Sequence, residues 1–165
     1  MKNYTFRDYN NEHMARAVGM ALPISFKQST EICRFIKSRK VSDAKKILQG
    51  VIEKKIAIPF RVYNWDLGHK KKIGPGRYPQ KASQHFIKII EAAEANAQFK
   101  GLNTSNLVLA HISAHNAGKT WHYGRKQRRK MKRTHLEIVV EEKSVANQDK
   151  KVESKRTKPE KSDNK

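Results

Sequence analysis

Acidic residues are almost absent from the middle of this 165-residue chain. Between Leu67 and Leu136 the only acids are Glu91 and Glu94. The whole chain contains 36 Lys and Arg against 15 Asp and Glu, which gives a formal net charge of +21. Because charge of one sign destabilises a compact monomer by self-repulsion, this balance indicates a polyanionic partner. An acidic membrane or a polyacidic protein would also fit, but nucleic acid carries the denser negative charge.

Cysteine is equally scarce, since Cys33 is the only one. A single thiol excludes an internal disulfide framework and a thiolate zinc site built from this chain alone, so we expect a reduced, cytosolic protein. No apolar run reaches the length of a membrane helix, and the first residues lack the apolar stretch of a signal peptide. We therefore expect no membrane partner.

Patterns typical of catalysis are missing as well. The chain has no Walker-type phosphate loop and no G-x-G-x-x-G motif. On one strand, His111 and His115 would lie about 13 Å apart, which is too far to share a metal ion. We interpret the histidines as surface or RNA-facing groups and Cys33 as a small buried apolar residue. The sequence predicts no enzyme, no cofactor and no metal site.

Apolar periodicity predicts three main helices and a hairpin. The helices are expected over residues 25–39, with a capping box from Ser25 to Gln28, over 42–55, and from after Pro79 to about 100, where Gly101 ends the helix. A further short helix is expected over 11–20 and a short strand over 4–6. Residues 107–112 and the alternating residues 136–140 predict two antiparallel strands packed on the helices.

A strongly basic segment separates these two strands. Residues 119–133, KTWHYGRKQRRKMKR, contain eight Lys or Arg and no acid. The segment must project, because an unpaired buried charge costs several kcal/mol. If residues 113–134 form two strands, the tip stands up to about 36 Å from the body. Such a ribbon is marginally stable alone, so we expect it to become ordered only against its partner.

Residues 60–79, FRVYNWDLGHKKKIGPGRYP, are rich in glycine and proline, which predicts an irregular loop. Its aromatic residues lie among cations, and this combination suits unpaired bases and phosphates. The alternative is that the aromatics cover the edge of the core and the lysines are solvated. This region, the adjacent Lys81 and the basic segment 119–133 supply our candidate RNA-binding residues: Lys70, Lys71, Lys72, Arg77, Tyr78, Lys81, Lys119, Trp121, His122, Tyr123, Arg125, Lys126, Arg128, Arg129, Lys130, Lys132 and Arg133.

Two other functional classes are open at this point. The predicted helices over 25–39 and 42–55 are separated by a short turn, as in a helix-turn-helix DNA-binding regulator, although the cations lie elsewhere. The other class is a nucleic-acid-modifying enzyme. The remaining residues, 143–165, have no aromatic side chain, eight basic residues and four acidic ones, a composition that predicts a disordered tail.

The segments GRYPQKAS, EANA at residues 94–97 and the basic arm before EIVVEE occur in this order in the chain. In this respect residues 24–142 resemble the large-subunit ribosomal protein twenty-two family, called seventeen in eukaryotes. The insertion over residues 59–79 is similar to the archaeal and eukaryotic branch. The arm is a few residues shorter than in many relatives.

The resemblance implies an α+β domain over residues 1–142, with three helices packed on a small antiparallel sheet and a long protruding basic β-hairpin over about 107–141. It implies a structural protein of the cytoplasmic large ribosomal subunit that binds large-subunit ribosomal RNA and neighbouring ribosomal proteins and aids subunit assembly. The hairpin would line the peptide exit tunnel, next to the nascent polypeptide. Residues 119–133 would form this arm, with Trp121, His122 and Tyr123 near its inner portion.

Overall fold

A three-stranded antiparallel sheet forms the centre of the fold. The computed structural model describes residues 4–143. In chain order the helices and strands are β1 (Met14–Leu22), α1 (Phe26–Ile36), α2 (Val41–Ile52), β2 (Ile58–Pro59), β3 (His69–Lys70), β4 (Gly74–Arg77), α3 (Gln80–Phe99), β5 (Leu107–Asn116) and β6 (Thr134–Glu142). The strand order of the main sheet is β1-β6-β5, so the last strand is central. The predicted α+β class with three main helices is confirmed.

Alternation along β6 separates the two faces of the main sheet. Leu136, Ile138 and Val140 belong to the hydrophobic core, as the sequence predicted. On this face α1 packs against β5, and α3 packs against β1 and β6. Glu137 lies on the opposite face, where its Oε1 accepts hydrogen bonds from the backbone N–H groups of Thr5 (2.8 Å) and Phe6 (3.4 Å). The hairpin is therefore covered by helices on one face and by the N-terminal segment on the other.

The three predicted helices are present, with different ends. In α3, Phe86, Ile90 and Ala93 are fully buried, and the helix stops before Gly101, which has a φ of +78°. The predicted capping box is wrong, because the Ser25 side chain caps no N–H group. The chain leaves α1 at Ile36 instead of residue 39, since the 38–39 backbone pairs with Leu109 of β5 through hydrogen bonds of 3.0 and 2.9 Å.

The helix predicted over residues 11–20 is wrong, because this segment forms β1. Ala15, Ala17 and Gly19 alternate with more exposed residues and face α3. At Gly19 a Cβ atom would overlap with the Ile89 side chain, so a small residue is needed for this close approach. Pairing with β6 and packing under α3 override the helical preference of alanine and methionine. The strand predicted over 4–6 is also wrong, since these residues are irregular and are held by Glu137.

The loop predicted over residues 60–79 is only partly irregular. β4 pairs with β2 on one side and with β3 on the other, forming a second small antiparallel sheet. Glycine permits the turn into β4, because Gly74 has a φ of +73°. The predicted disordered tail begins at residue 143, and its residues 144–165 lie outside the described part of the chain.

Candidate nucleic-acid interface

The arm, residues 117–133, continues the β5–β6 hairpin beyond its last ladder pair, Asn116–Thr134. In the arm the N–H of His122 donates to the carbonyl oxygen of Arg129 (2.8 Å), beside an isolated bridge between Trp121 and Lys130. The prediction of two regular strands over 113–134 is wrong. Residues 124–126 form a 3₁₀ turn and Arg128 has a φ of +67°, so the chain leaves the extended conformation.

The cations of the arm face solvent. Every Lys and Arg of the arm is exposed except Arg133, which is half-buried. Trp121 is 59% exposed, and the Nζ of Lys130 lies 4.8 Å from its ring centroid. Within residues 4–143 Lys45–Glu94 and Lys55–Glu53 are ion pairs and His115 contacts Glu137, so no acid of the described chain pairs with the arm.

At its base the arm borders a groove of about 560 Å³, which we name the arm-base groove. Four parts of the chain contribute cations or aromatic rings to it: the start of α1, the segment after β2, the end of β4 and both sides of the arm. Its lining is Ser25, Phe26, Lys27, Gln28, Phe60, Tyr63, Arg77, Asn116, Lys119, Lys132 and Arg133. The Nζ of Lys27 lies 5.6 Å from the ring centroid of Tyr63. Cations that are distant in the sequence therefore converge on one concave surface.

The structure divides the predicted binding residues into two groups. Arg77, Lys119, Lys132 and Arg133 meet in the arm-base groove, and the other arm residues extend from it. Lys70 lies in β3, Lys71 and Lys72 in the turn that follows, Tyr78 between β4 and α3, and Lys81 in the first turn of α3. The Nζ of Lys70 is 5.6 Å from the ring centroid of Tyr78. This second group does not line the arm-base groove.

Sequence reasoning missed two residues of this region. Lys27 is a single cation at the start of α1, and only the folded chain shows that it lines the same groove as the arm. Glu31 is 1% exposed and accepts backbone hydrogen bonds from Arg61 (3.2 Å), Val62 (3.0 Å) and Tyr63 (3.1 Å). This carboxylate fixes the segment that carries Tyr63 into the groove. Its place in a helix of mixed composition gave no signal of that role.

Cys33 and His111 lie outside the basic surface, and burial shifts the pKa of each. Burial raises the pKa of Cys33 to about 12, consistent with its predicted apolar role. Burial also lowers the pKa of His111, whose ring centroid is 5.1 Å from that of Phe6. In residues 4–143 no three or more His, Cys, Asp or Glu side chains are grouped to hold a metal ion. In the same part of the chain, no helix combines the length and apolar character needed to span a membrane.

An exposed arm of one charge sign, joined to a groove of cations and aromatic rings, is typical of a polyanion-binding protein. The family model described as Ribosomal protein L22p/L17e matches residues 17–141. The chain therefore belongs to the L22p/L17e family of ribosomal proteins, which are structural proteins and not enzymes.

Archaeal relatives agree with the branch predicted from residues 59–79. The protein named large ribosomal subunit protein uL22 of Archaeoglobus fulgidus is 38% identical over 147 residues, covering 84% of this chain and 95% of its own. The protein of the same name from Methanocaldococcus jannaschii is 39% identical over 142 residues, or 81% and 90% of the two chains. That of Picrophilus torridus is 42% identical over 113 residues, or 68% and 74%.

Neither the comparisons nor the packing of α2 supports the helix-turn-helix alternative. Ala44, Leu48 and Val51 of α2 are fully buried, and this helix packs against α3. A recognition helix presents its base-reading side chains to DNA. The exposed cations described above lie mainly on the arm and around the arm-base groove instead.

Proposed function

We propose that this protein binds large-subunit ribosomal RNA through the arm and the arm-base groove, and that this binding helps to assemble the large ribosomal subunit. The observation that carries the proposal is the convergence of Lys27, Arg77, Lys119 and Lys132 on one groove from which an unneutralised arm extends. Membership of a ribosomal protein family supports it. Neighbouring ribosomal proteins of the large subunit are the other partners expected.

The mechanism is electrostatic and geometric. Each Lys or Arg that contacts a phosphate releases condensed counterions, which favours binding and makes it depend on salt. Trp121 and Tyr123 are exposed on the arm and offer ring faces to unpaired bases. The body fixes the direction of the arm, since β5 and β6 are paired as far as Asn116 and Thr134. We propose that all seventeen residues predicted from the sequence contact RNA, and that Lys27 does so as well.

The test compares two double variants of the full chain in binding to a transcript of large-subunit ribosomal RNA. Lys119→Gln with Lys132→Gln removes two cations of the arm-base groove. Lys46→Gln with Lys55→Gln is the matched control, because these two lysines line a different groove that also contains Glu53 and Glu91. We expect the groove variant to flatten the plot of log affinity against log salt by about 0.9 per lost phosphate contact. Equal slopes for the two double variants would contradict the proposal.

We propose in addition that the arm lines the peptide exit tunnel, as the family resemblance implies. The arm extends from the body with exposed side chains, as an element that enters folded RNA requires. Gln127 follows the 3₁₀ turn of the arm and is uncharged, so Gln127→Cys adds a crosslinking site without removing a cation. The native Cys33 is buried and should not react.

Ribosomes carrying Gln127→Cys should crosslink to a stalled nascent peptide. Those carrying Gln98→Cys, at an exposed position of α3, should not. Equal yields of crosslinked peptidyl-tRNA from both positions would argue against a tunnel location. The RNA-binding proposal does not depend on this result.

A further inference from the structure

A second basic groove, which we name the α1 groove, lies where α1 meets the segment after β2. It has a volume of about 450 Å³ and is lined by Glu31, Arg34, Phe35, Arg39, Pro59 and Arg61. Arg34, Arg39 and Arg61 are exposed, and Phe35 is half-buried. None of these residues was among the sequence-based candidates, and neither the arm nor the arm-base groove includes them.

The single acid of this groove forms no ion pair with its arginines. Both Glu31 oxygens already accept backbone N–H groups, from Arg61, Val62 and Tyr63. The ion pairs within residues 4–143 include none of the three arginines. The groove therefore combines three guanidinium groups with one buried carboxylate whose acceptors are engaged.

The side chain of Arg39 is held in place by the backbone and by an aromatic ring. The Nε of Arg39 donates to the carbonyl oxygen of Phe35 (3.0 Å), and its guanidinium carbon lies 5.0 Å from the centroid of the Phe35 ring. The backbone of Arg39 is also bonded to Leu109 of β5. Only the backbone of Arg61 is fixed, through the hydrogen bond from its N–H to Glu31. Prepositioned guanidinium groups lose less freedom on binding, and their planar forks match phosphate oxygens.

The two grooves lie along the same helix. Lys27 in the arm-base groove and Arg34 in the α1 groove are seven residues apart in α1, or about 10 Å along the helix axis. The segment fixed by Glu31 lies between them, with Tyr63 in the arm-base groove and Arg61 in the α1 groove. One polyanion that lies along α1 can therefore contact both grooves.

We propose that the α1 groove is a second phosphate-binding site for ribosomal RNA, which holds the RNA backbone beside the body independently of the arm. The proposal rests on the RNA-binding function proposed above and adds a contact site to it. RNA is favoured over an acidic protein segment because the groove lies next to the arm-base groove along α1 and places the guanidinium of Arg39 against the Phe35 ring.

The test measures binding of the full-length protein to a transcript of large-subunit ribosomal RNA at several salt concentrations. Arg34→Gln with Arg61→Gln removes two guanidinium groups, and we expect the salt slope to flatten by about 0.9 per lost phosphate contact. Arg34→Lys with Arg61→Lys keeps the charge but removes the fork. We expect it to retain most of the slope and to bind more weakly than the wild type.

Lys37→Gln with Lys40→Gln is the matched control, because both lysines are exposed close to α1 and neither lines a groove described here. Thermal unfolding identifies any variant that is misfolded. If the Arg→Gln pair keeps the wild-type slope while the Lys119→Gln, Lys132→Gln pair loses it, the second site is refuted and the arm-based function stands. If neither pair changes the slope, both proposals fail.

A further result would also refute the second site. If the Arg→Gln variant binds RNA normally but fails to join large subunits when it is added to their assembly mixture, the groove docks an acidic protein segment instead of RNA.

Discussion

Strands β5 and β6 pair residue by residue up to Asn116 and Thr134, whereas the arm that continues them has one isolated bridge. In the strands, Leu109, Leu136 and Ile138 are fully buried, but in the arm Ala117 alone is buried. Apolar burial stabilises the body, whereas the arm buries little apolar surface. The arm concentrates positive charge that the described chain leaves unpaired. Stability and RNA affinity should therefore respond to different substitutions.

The largest effect on stability is expected from the core of α3. Phe86 is 0% exposed, so Phe86→Ala should lower the free energy of unfolding by about 3–5 kcal/mol. Phe99 lies on the same helix and is 94% exposed, so Phe99→Ala is the control and should stay within about 0.5 kcal/mol of the wild type. Urea denaturation measures both. Similar losses for the two variants would mean that the body is not packed as described.

A smaller loss is expected at the buried carboxylate that connects the body to the grooves. Glu31→Gln replaces two carboxylate oxygens that accept three N–H groups by an amide with one acceptor oxygen, at a cost of about 1–3 kcal/mol. Glu91→Gln, at an exposed position of α3, is the control and should change little. RNA binding by folded Glu31→Gln should also weaken, because Tyr63 and Arg61 lose their common anchor. A stability equal to that of the control variant would contradict this role for Glu31.

A weaker effect is expected from acidification. Burial, with Lys37 and His115 nearby, lowers the pKa of His111, while the charge of Glu137 opposes the shift. The unfolded chain then binds this proton more readily than the folded one, so stability falls as the pH drops below about 6.5 toward the lower folded pKa. In His111→Gln the fall over this range should be shallower. An unchanged pH profile in urea denaturation would show that His111 does not contribute.

The smallest effect on stability is expected in the arm. Arg125→Gln with Arg129→Gln removes two exposed cations and should leave the free energy of unfolding within about 0.5 kcal/mol of the wild type. The same variant should flatten the salt dependence of RNA binding by about 0.9 per lost contact. A marked drop in the urea midpoint would show that the arm contributes to the stability of the body.

The sequence predicted those parts of the fold that periodicity controls. α3 is long and has a regular apolar stripe ended by Gly101, and the alternation of Leu136, Ile138 and Val140 identified the core face of β6. β1 was missed because its alanine and methionine residues favour a helix. Only pairing with β6 and contact with α3 decide between them.

The candidate site was predictable where charge alone defines it. The sequence shows the arm as a run of cations without acids. It shows Arg77 as a cation within a segment rich in aromatic residues. Lys27, Arg34, Arg39 and Arg61 are scattered through residues 27–61, outside the basic arm. Folding places them in two grooves along α1, and no local pattern contains that information.

The most direct test of the central claim is the salt dependence of the wild-type protein's affinity for folded large-subunit ribosomal RNA. If the arm neutralises about six to eight phosphates, affinity should fall by roughly three orders of magnitude or more between 50 and 200 mM salt. An affinity that stays nearly constant over this range would contradict binding through the arm's cations.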